Sequence, residues 1–258
     1  MRWRLLLAAT IALAASLAGA TDRAKGELAA RPGAASLALA AGESKFADGA
    51  VAYRPATLPE GPRPLLVLLH GNPQPPEEMV RIFRAWADRC GAIMIAPKAR
   101  KQTWDVIDRW FSLQTRRSAP TRPPVRFGAD VPIIEGDLAQ LFRLAPIDPA
   151  RVTLLGFSDG ASYALSVGLA NPQLFHHVIA LSPGFAIYPD RVSLDQKLFI
   201  AHGDRDSRLP FERSRDGLVG AIRGAGISVV FRPFHGDHVI DGPATREALL
   251  WATGCARP

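Results

Sequence analysis

Two cysteines in 258 residues are too few for a fold built on disulfides. Cys90 and Cys255 form no Cys-x-x-Cys pair, the spacing that zinc sites and dithiol redox centres need. Past residue 20 no apolar run is long enough to cross a bilayer, so the mature chain is expected to have no transmembrane segment. Arginine-rich helices and aromatic–basic ribonucleoprotein patterns are missing too. Nucleic acid is therefore not an expected partner, despite a formal charge of +7. Basicity of this size bears on solubility and on attraction to anionic surfaces, and it says nothing about fold.

What is present begins with a leader. Arg2 and Arg4 precede an apolar stretch over 5–17 and then Ala18-Gly19-Ala20, the layout of a secretory signal peptide cleaved after Ala20. The apolar run is short for a spanning anchor. Residues 1–20 are thus read as a signal peptide and the product as secreted or periplasmic. In an oxidising compartment the two cysteines either pair or stay as buried thiols. Each falls at the C-terminal end of an expected helix, which places both at one edge of a parallel sheet. Pairing would close a loop of about 165 residues.

Residues 21–48 are rich in small residues and read as a loose arm leading into an edge strand, followed by one α/β domain over 49–258. There, strands and helices alternate. "PLLVLLHG" is an apolar strand of the doubly buried type and "GAIMIAP" the next buried strand, and "RVTLLGF", "HHVIALSP", "QKLFIAHG" and "ISVVFRPF" are four more strands. Between them, "PEEMVRIFRAWADRC" carries Met79, Ile82, Phe83 and Trp86 at helical spacing. Further helices are expected over 132–144, from Ser158 to Leu169, over 211–223 and over 244–253. This order predicts an α/β fold, a mostly parallel central sheet with helices on both faces. Residues 98–128 break the rhythm and read as a long insertion near the active site. They hold Trp104, Trp110 and Phe111 beside Lys98, Arg100, Lys101, Arg109, Arg116 and Arg117. The insertion either walls a pocket or is a solvated loop pinned by its aromatics.

Ligands of such sheets collect at the carboxyl ends of the strands. Four strand ends carry chemistry-bearing groups: His70-Gly71-Asn72, Ser158, Asp204 with Asp206, and His235 with His238. A serine becomes a nucleophile when an imidazole takes its proton, and the imidazole needs a carboxylate to hold its other nitrogen. Ser158 stands in "GFSDG", and Gly156 and Gly160 would give its hydroxyl room on a tight strand-to-helix elbow. Trp104 and His70 are expected to line the substrate pocket.

"LLHGN", "GFSDGAS", "HGDRDSRLP" and "FHGDHVI" follow one another as in α/β-hydrolases of the carboxylesterase, phospholipase and acyl-thioesterase type, which the chain resembles over roughly residues 50–254. The resemblance implies an α/β-hydrolase fold with Ser158 as nucleophile, Asp206 as acid and His238 as base. Asp204 competes for the acid role, or else caps the turn. His235 is left as a structural or rim residue. The backbone N–H groups of Asn72 and Asp159 would form the oxyanion hole, since Pro73 has none. The Asp159 carboxylate should point away from it. Glutamine is common at that position in the thioesterase branch, from which this chain departs.

The implied activity is an exported, cofactor-independent serine hydrolase that cleaves small or lipid-like carboxylic esters through an acyl-enzyme. A short-chain polyester depolymerase is an alternative within that class, since 184–195 is too short for a large cap. Two alternatives come from other classes. Asp204, Asp206, His235, Asp237, His238 and Asp241 could form the cluster of a metal-dependent hydrolase, although the best run, His-x-Asp-His at 235–238, lacks His-x-His spacing. A non-catalytic binding protein on the same fold is the other. The oligomeric state is not readable.

Overall fold

A computed structural model describes residues 22–115 and 125–255. The leader over 1–20, Arg116 and Arg117 lie outside them, as does the Phe111 side chain. Eight strands form one sheet: β1 (Gly42–Lys45), β2 (Val51–Arg54), β3 (Arg63–Leu69), β4 (Ile93–Ala96), β5 (Ile147–Phe157), β6 (His177–Leu181), β7 (Lys197–Gly203) and β8 (Ser228–Phe234). Their order is β1-β2-β4-β3-β5-β6-β7-β8. The first two run antiparallel, and the other six are parallel. From β3 the chain moves outward to β4 and then returns to β5 on the other side. The switch between β3 and β5 opens a crevice at their carboxyl ends.

Strands β3 to β7 are buried on both faces over most of their length, whereas β8, at the sheet edge, has no buried residue. Along β3, Leu65, Val67 and Leu69 belong to one core while Leu66 and Leu68 belong to the other, the two-residue alternation of a pleated strand. Helices α1 (Pro76–Cys90) and α6 (Gly242–Thr253) cover the second face. The first is covered by α2 (Asp105–Thr115), α3 (Asp130–Leu144), α4 (Asp159–Ala170) and α5 (Val219–Gly224), the last preceded by a π-helical turn at Arg213–Leu218. In α1 the inward residues are Met79, Val80, Phe83, Trp86 and Ala87. Ile82 lies on the outer side, 37% exposed, so it does not share the buried stripe.

Two expectations are corrected. The 98–128 insertion contains a helix, α2, whose Val106 and Ile107 are buried while Trp110 stacks on Phe185 at 4.5 Å. Its ends are tied by two carboxylates. Asp130 accepts from Arg100 N at 2.8 Å and Asp105 N at 2.7 Å, and Asp105 accepts from Gly128 N at 3.0 Å and Asp130 N at 2.9 Å. The arm is not loose either. Leu28, Leu39 and Phe46 enter the core, Leu28 N donates to Asn171 Oδ1 at 2.7 Å, and the arm supplies edge strand β1.

Cys90, the last residue of α1, and Cys255, just past α6, form a disulfide with Cα atoms 5.8 Å apart. Helices return antiparallel to their strands, so this bond sits at the edge opposite the carboxyl ends. Replacing both cysteines by serine should lower unfolding free energy by about 2–5 kcal/mol in denaturant titrations.

Asp137 on α3 is buried against Asp48 of the β1–β2 turn, and among the described residues its Oδ2 has no hydrogen-bond partner. Burial first, then the Asp48 hydrogen bond and charge, pushes its pKa up to about 8. The folded protein keeps this proton where the unfolded chain has released it, so the native state binds more protons from the ordinary carboxylate range up to about 8. Stability therefore falls as pH rises through that window. Asp137→Asn should remove this slope: thermal melts should show the variant gaining on the wild type between pH 5 and pH 8, with little difference near pH 4.

Candidate active site

Strand β5 ends at Phe157, and the chain turns into α4 at Ser158 with φ 56° and ψ −119°. This region is strained for a side-chain-bearing residue. Neighbours hold it there: Ser158 N donates to Leu181 O at 2.9 Å, and Ser158 O accepts from Ala161 N at 2.9 Å and Ser162 N at 3.1 Å. The flanking glycines allow backbones to touch. A Cβ on Gly156 would stand 2.1 Å from Gly160 O, and one on Gly160 would stand 2.2 Å from Leu69 O. The elbow is thereby pressed against the end of β3.

His238 Nε2 lies 2.7 Å from Ser158 Oγ, and His238 Nδ1 lies 2.7 Å from Asp206 Oδ2. These partners assign the proton to Nδ1, leaving Nε2 to accept from the hydroxyl. Asp206 Oδ1 accepts from Arg208 N at 2.9 Å and Leu209 N at 2.7 Å. Its side chain is fully buried and that of His238 nearly so. The Phe157 ring packs beside the imidazole, centroids 5.1 Å apart. Asp237 accepts from Ser207 N and His238 N, pinning the β8–α6 loop.

Asp204 goes elsewhere. It pairs with the exposed His235 at 3.0 Å on the rim and accepts from Gly236 N at 3.2 Å. Of the two candidate acids, the fold brings Asp206 to the imidazole. Among the described residues no group of three or more His, Cys, Asp or Glu is placed to hold a metal ion.

The β3–α1 loop supplies the other side of the crevice. A Cβ on Gly71 would come within 3.2 Å of Ser158 Cβ, which places the following Asn72 at the elbow. Gln74 brackets the loop, its side chain accepting from Gly71 N at 3.2 Å and its N–H donating to Gly71 O at 2.9 Å. Asp159 opens α4, where a backbone N–H has no intrahelical acceptor. Its carboxylate turns to Thr103, which donates to Oδ2 at 2.6 Å.

Trp104 does not line a pocket over the serine as expected, and His70 borders only the cleft beside the donor loop. Trp104 is fully buried and its indole N–H donates to His70 O at 2.9 Å. His70 Nε2 accepts from Ala99 N at 3.1 Å, which puts the proton on Nδ1, 2.9 Å from Gly71 O. Burial lowers its pKa and keeps it neutral. Both side chains brace the donor loop from behind, because a large ring between two packed elements gains more from enclosure than from exposure.

The geometry can move a proton from Ser158 to His238 while Asp206 holds the resulting imidazolium, and it directs the positive end of α4 at the reacting oxygen. A family model described as Phospholipase/Carboxylesterase matches residues 58–240, a span that includes Asn72, Ser158, Asp206 and His238. The chain belongs to this family.

A curated relative with an esterase name, NocK of Nocardia uniformis subsp. tsuyamanensis, is 29% identical over 159 residues. That match covers 60% of this chain and 43% of NocK, so the chain spans less than half of that relative. Two solved structures share the α/β-hydrolase fold. Esterase PE8 has a TM-score of 0.56 at 22% identity, covering 83% of this chain and 98% of its own. FphF, a fluorophosphonate-binding serine hydrolase of Staphylococcus aureus, has a TM-score of 0.57 at 14% identity, covering 81% and 96%.

This Phospholipase/Carboxylesterase member has one site residue that its sequence did not disclose. His202, on β7, is fully buried, with Nε2 3.0 Å from Leu209 O and 3.1 Å from Asp206 Oδ2. Among the described residues its Nδ1 has no hydrogen-bond partner. Burial lowers its pKa, so it stays neutral with its proton on Nε2, shared between the two oxygens. It is a positioning residue for the Asp206 carboxylate. The signal was its place in "HGDRD", where only the aspartates had drawn notice. His202→Phe should slow labelling of Ser158 by a fluorophosphonate about tenfold while His202→Gln, which restores a donor, labels near the wild-type rate.

Proposed function

We propose that the protein is an exported serine hydrolase that cleaves carboxylic esters through an acyl-enzyme. The observation carrying this reading is the unbroken hydrogen-bonded line from Ser158 through His238 to Asp206 at the elbow. In the first half-reaction Ser158 Oγ attacks the ester carbonyl as His238 Nε2 takes its proton. The tetrahedral oxyanion rests on the backbone N–H groups of Asn72 and Asp159. The imidazolium then protonates the departing alcohol. Water, deprotonated by the same imidazole, releases the acid in the second half-reaction.

The family match supports ester substrates of the carboxylesterase and phospholipase kind. Export is supported by the Cys90–Cys255 disulfide, which suits an oxidising compartment. A second reading, action on a short-chain polyester, draws support from residues 184–195, which add no helix or strand at the rim.

Ser158→Ala should lower kcat for acyl esters by at least about 10⁴-fold while leaving the thermal melt unchanged. A chain-length panel of acyl esters, with a lysophospholipid and a short polyester, assayed on the wild type and this variant, measures it. Undiminished turnover by Ser158→Ala would overturn the mechanism.

A further inference from the structure

Beside the donor loop lies a cleft of about 650 Å³. One wall is the β3–α1 loop, including His70, Pro73 and Gln74, and the other is the segment after β4 that carries Lys98, Arg100 and Lys101. Each wall continues into a residue that touches the serine elbow, which itself lies outside the lining. Gly71 abuts Ser158 Cβ, and Thr103, the residue after this segment's Gln102, bonds Asp159. A substrate whose carbonyl sits at Ser158 has this cleft immediately to one side.

The lining is strongly one-signed. Four cations, Lys45, Lys98, Arg100 and Lys101, face a single carboxylate, Glu77. Glu77 is already held by Lys45 at 2.7 Å, and Lys101 reaches Asp108 at 3.6 Å. Among the described residues neither Lys98 nor Arg100 forms an ion pair, although Glu77 feels the charge of Lys98 and Asp130 that of Arg100. The Lys98 stem lies across Gly49, where an added Cβ would meet its Cδ at 2.8 Å, so the β1–β2 turn props the lysine at the cleft. The Arg100 backbone is tied to Asp130 at 2.8 Å, which anchors the base of that side chain. Two unpaired cations on anchored backbone, in a walled cleft, raise the local concentration of anions and favour one held between them.

We infer that the preferred ester carries an anionic group, a carboxylate or phosphate, which Lys98 and Arg100 bind while the carbonyl lies at Ser158. The inference rests on the ester-hydrolase reading and narrows its substrate class. Neutral esters lack the second anchor and are turned over less efficiently.

Two matched pairs test this in a pH-stat: ethyl hydrogen adipate against its neutral terminal amide, and butyrylglycerol phosphate against butyrylglycerol. The anionic member of at least one pair should be preferred about tenfold in kcat/KM, the worth of a few exposed ion pairs, and salt should erode the preference. Which pair shows it tells carboxylate from phosphate. Lys98→Ala/Arg100→Ala should abolish the preference and leave neutral esters at their wild-type rate. Arg223→Ala/Arg246→Ala, which removes the same charge from the α5 and α6 surfaces, should keep it. Equal turnover within both pairs, or a preference that survives loss of Lys98 and Arg100, overturns the inference and leaves ester cleavage standing. Absence of turnover on every ester sinks the ester reading instead. Calorimetric binding of ethyl hydrogen adipate and its amide to Ser158→Ala then decides the cleft by itself, equal affinities overturning it.

Discussion

The site depends on the close approach of two backbones. Gly160, in the first turn of α4, sits against the carbonyls of Leu69 and His70 with no room for a methyl group. That contact seats the β5–α4 elbow on the end of β3. Every other feature of the crevice uses the resulting geometry: Gly71 beside Ser158, Asn72 next along, and His70 held from behind by Trp104 and Ala99. A side chain at either glycine would separate the elbow from the donor loop and break the alignment before touching any reacting group. Strain at Ser158 persists because neighbouring strands and the first helical turn hold its backbone on both sides.

Around this contact the charged groups divide by burial. Asp206 and His202 are enclosed, and the carboxylate is met by two backbone N–H groups and two imidazoles. Low dielectric strengthens each of those bonds and makes any loss among them costly. Asp204 and His235, only two and three residues away along the chain from Asp206 and His238, form an exposed pair in which water competes. The cations after β4 are also solvent-facing, yet they are gathered at one cleft by a segment whose ends are fixed by Asp105 and Asp130. Burial serves proton transfer at one side of the crevice, and exposure keeps a cationic surface open at the other.

Much of this was legible before any coordinates. Strands β3 to β7 were readable because doubly buried strands are continuous in hydrophobicity, and β8 because it too is a short apolar run, though it lies at the exposed edge. Glycine punctuation around Ser158 marked the elbow. The arm and the insertion misled for different reasons: apolar residues of the arm are sparse and separated by small ones, while the insertion's short helical stretch is flanked by charged and proline-containing segments. Leu28, Leu39 and Phe46 are far apart in the arm, whereas Val106, Ile107 and Trp110 stand at helical spacing in a stretch too short to outweigh the charged, proline-containing segments around it. Tertiary packing orders both. Trp104 was misplaced because an aromatic in a basic insertion reads as a ligand wall, whereas its N–H had a buried carbonyl to satisfy.

The sequence by itself determined the α/β class, the strand ends that bear Ser158, Asp206 and His238, and the glycines that let those ends meet. These are properties of local pattern, carried by consecutive residues. Only the tertiary structure decided between Asp204 and Asp206, joined Cys90 to Cys255, enlisted His202 and drew Lys98 and Arg100 to the cleft beside the donor loop. Each of those is a distance between elements remote along the chain or a choice between near neighbours. Such distances are set by how helices and strands pack, which no single stretch of sequence encodes.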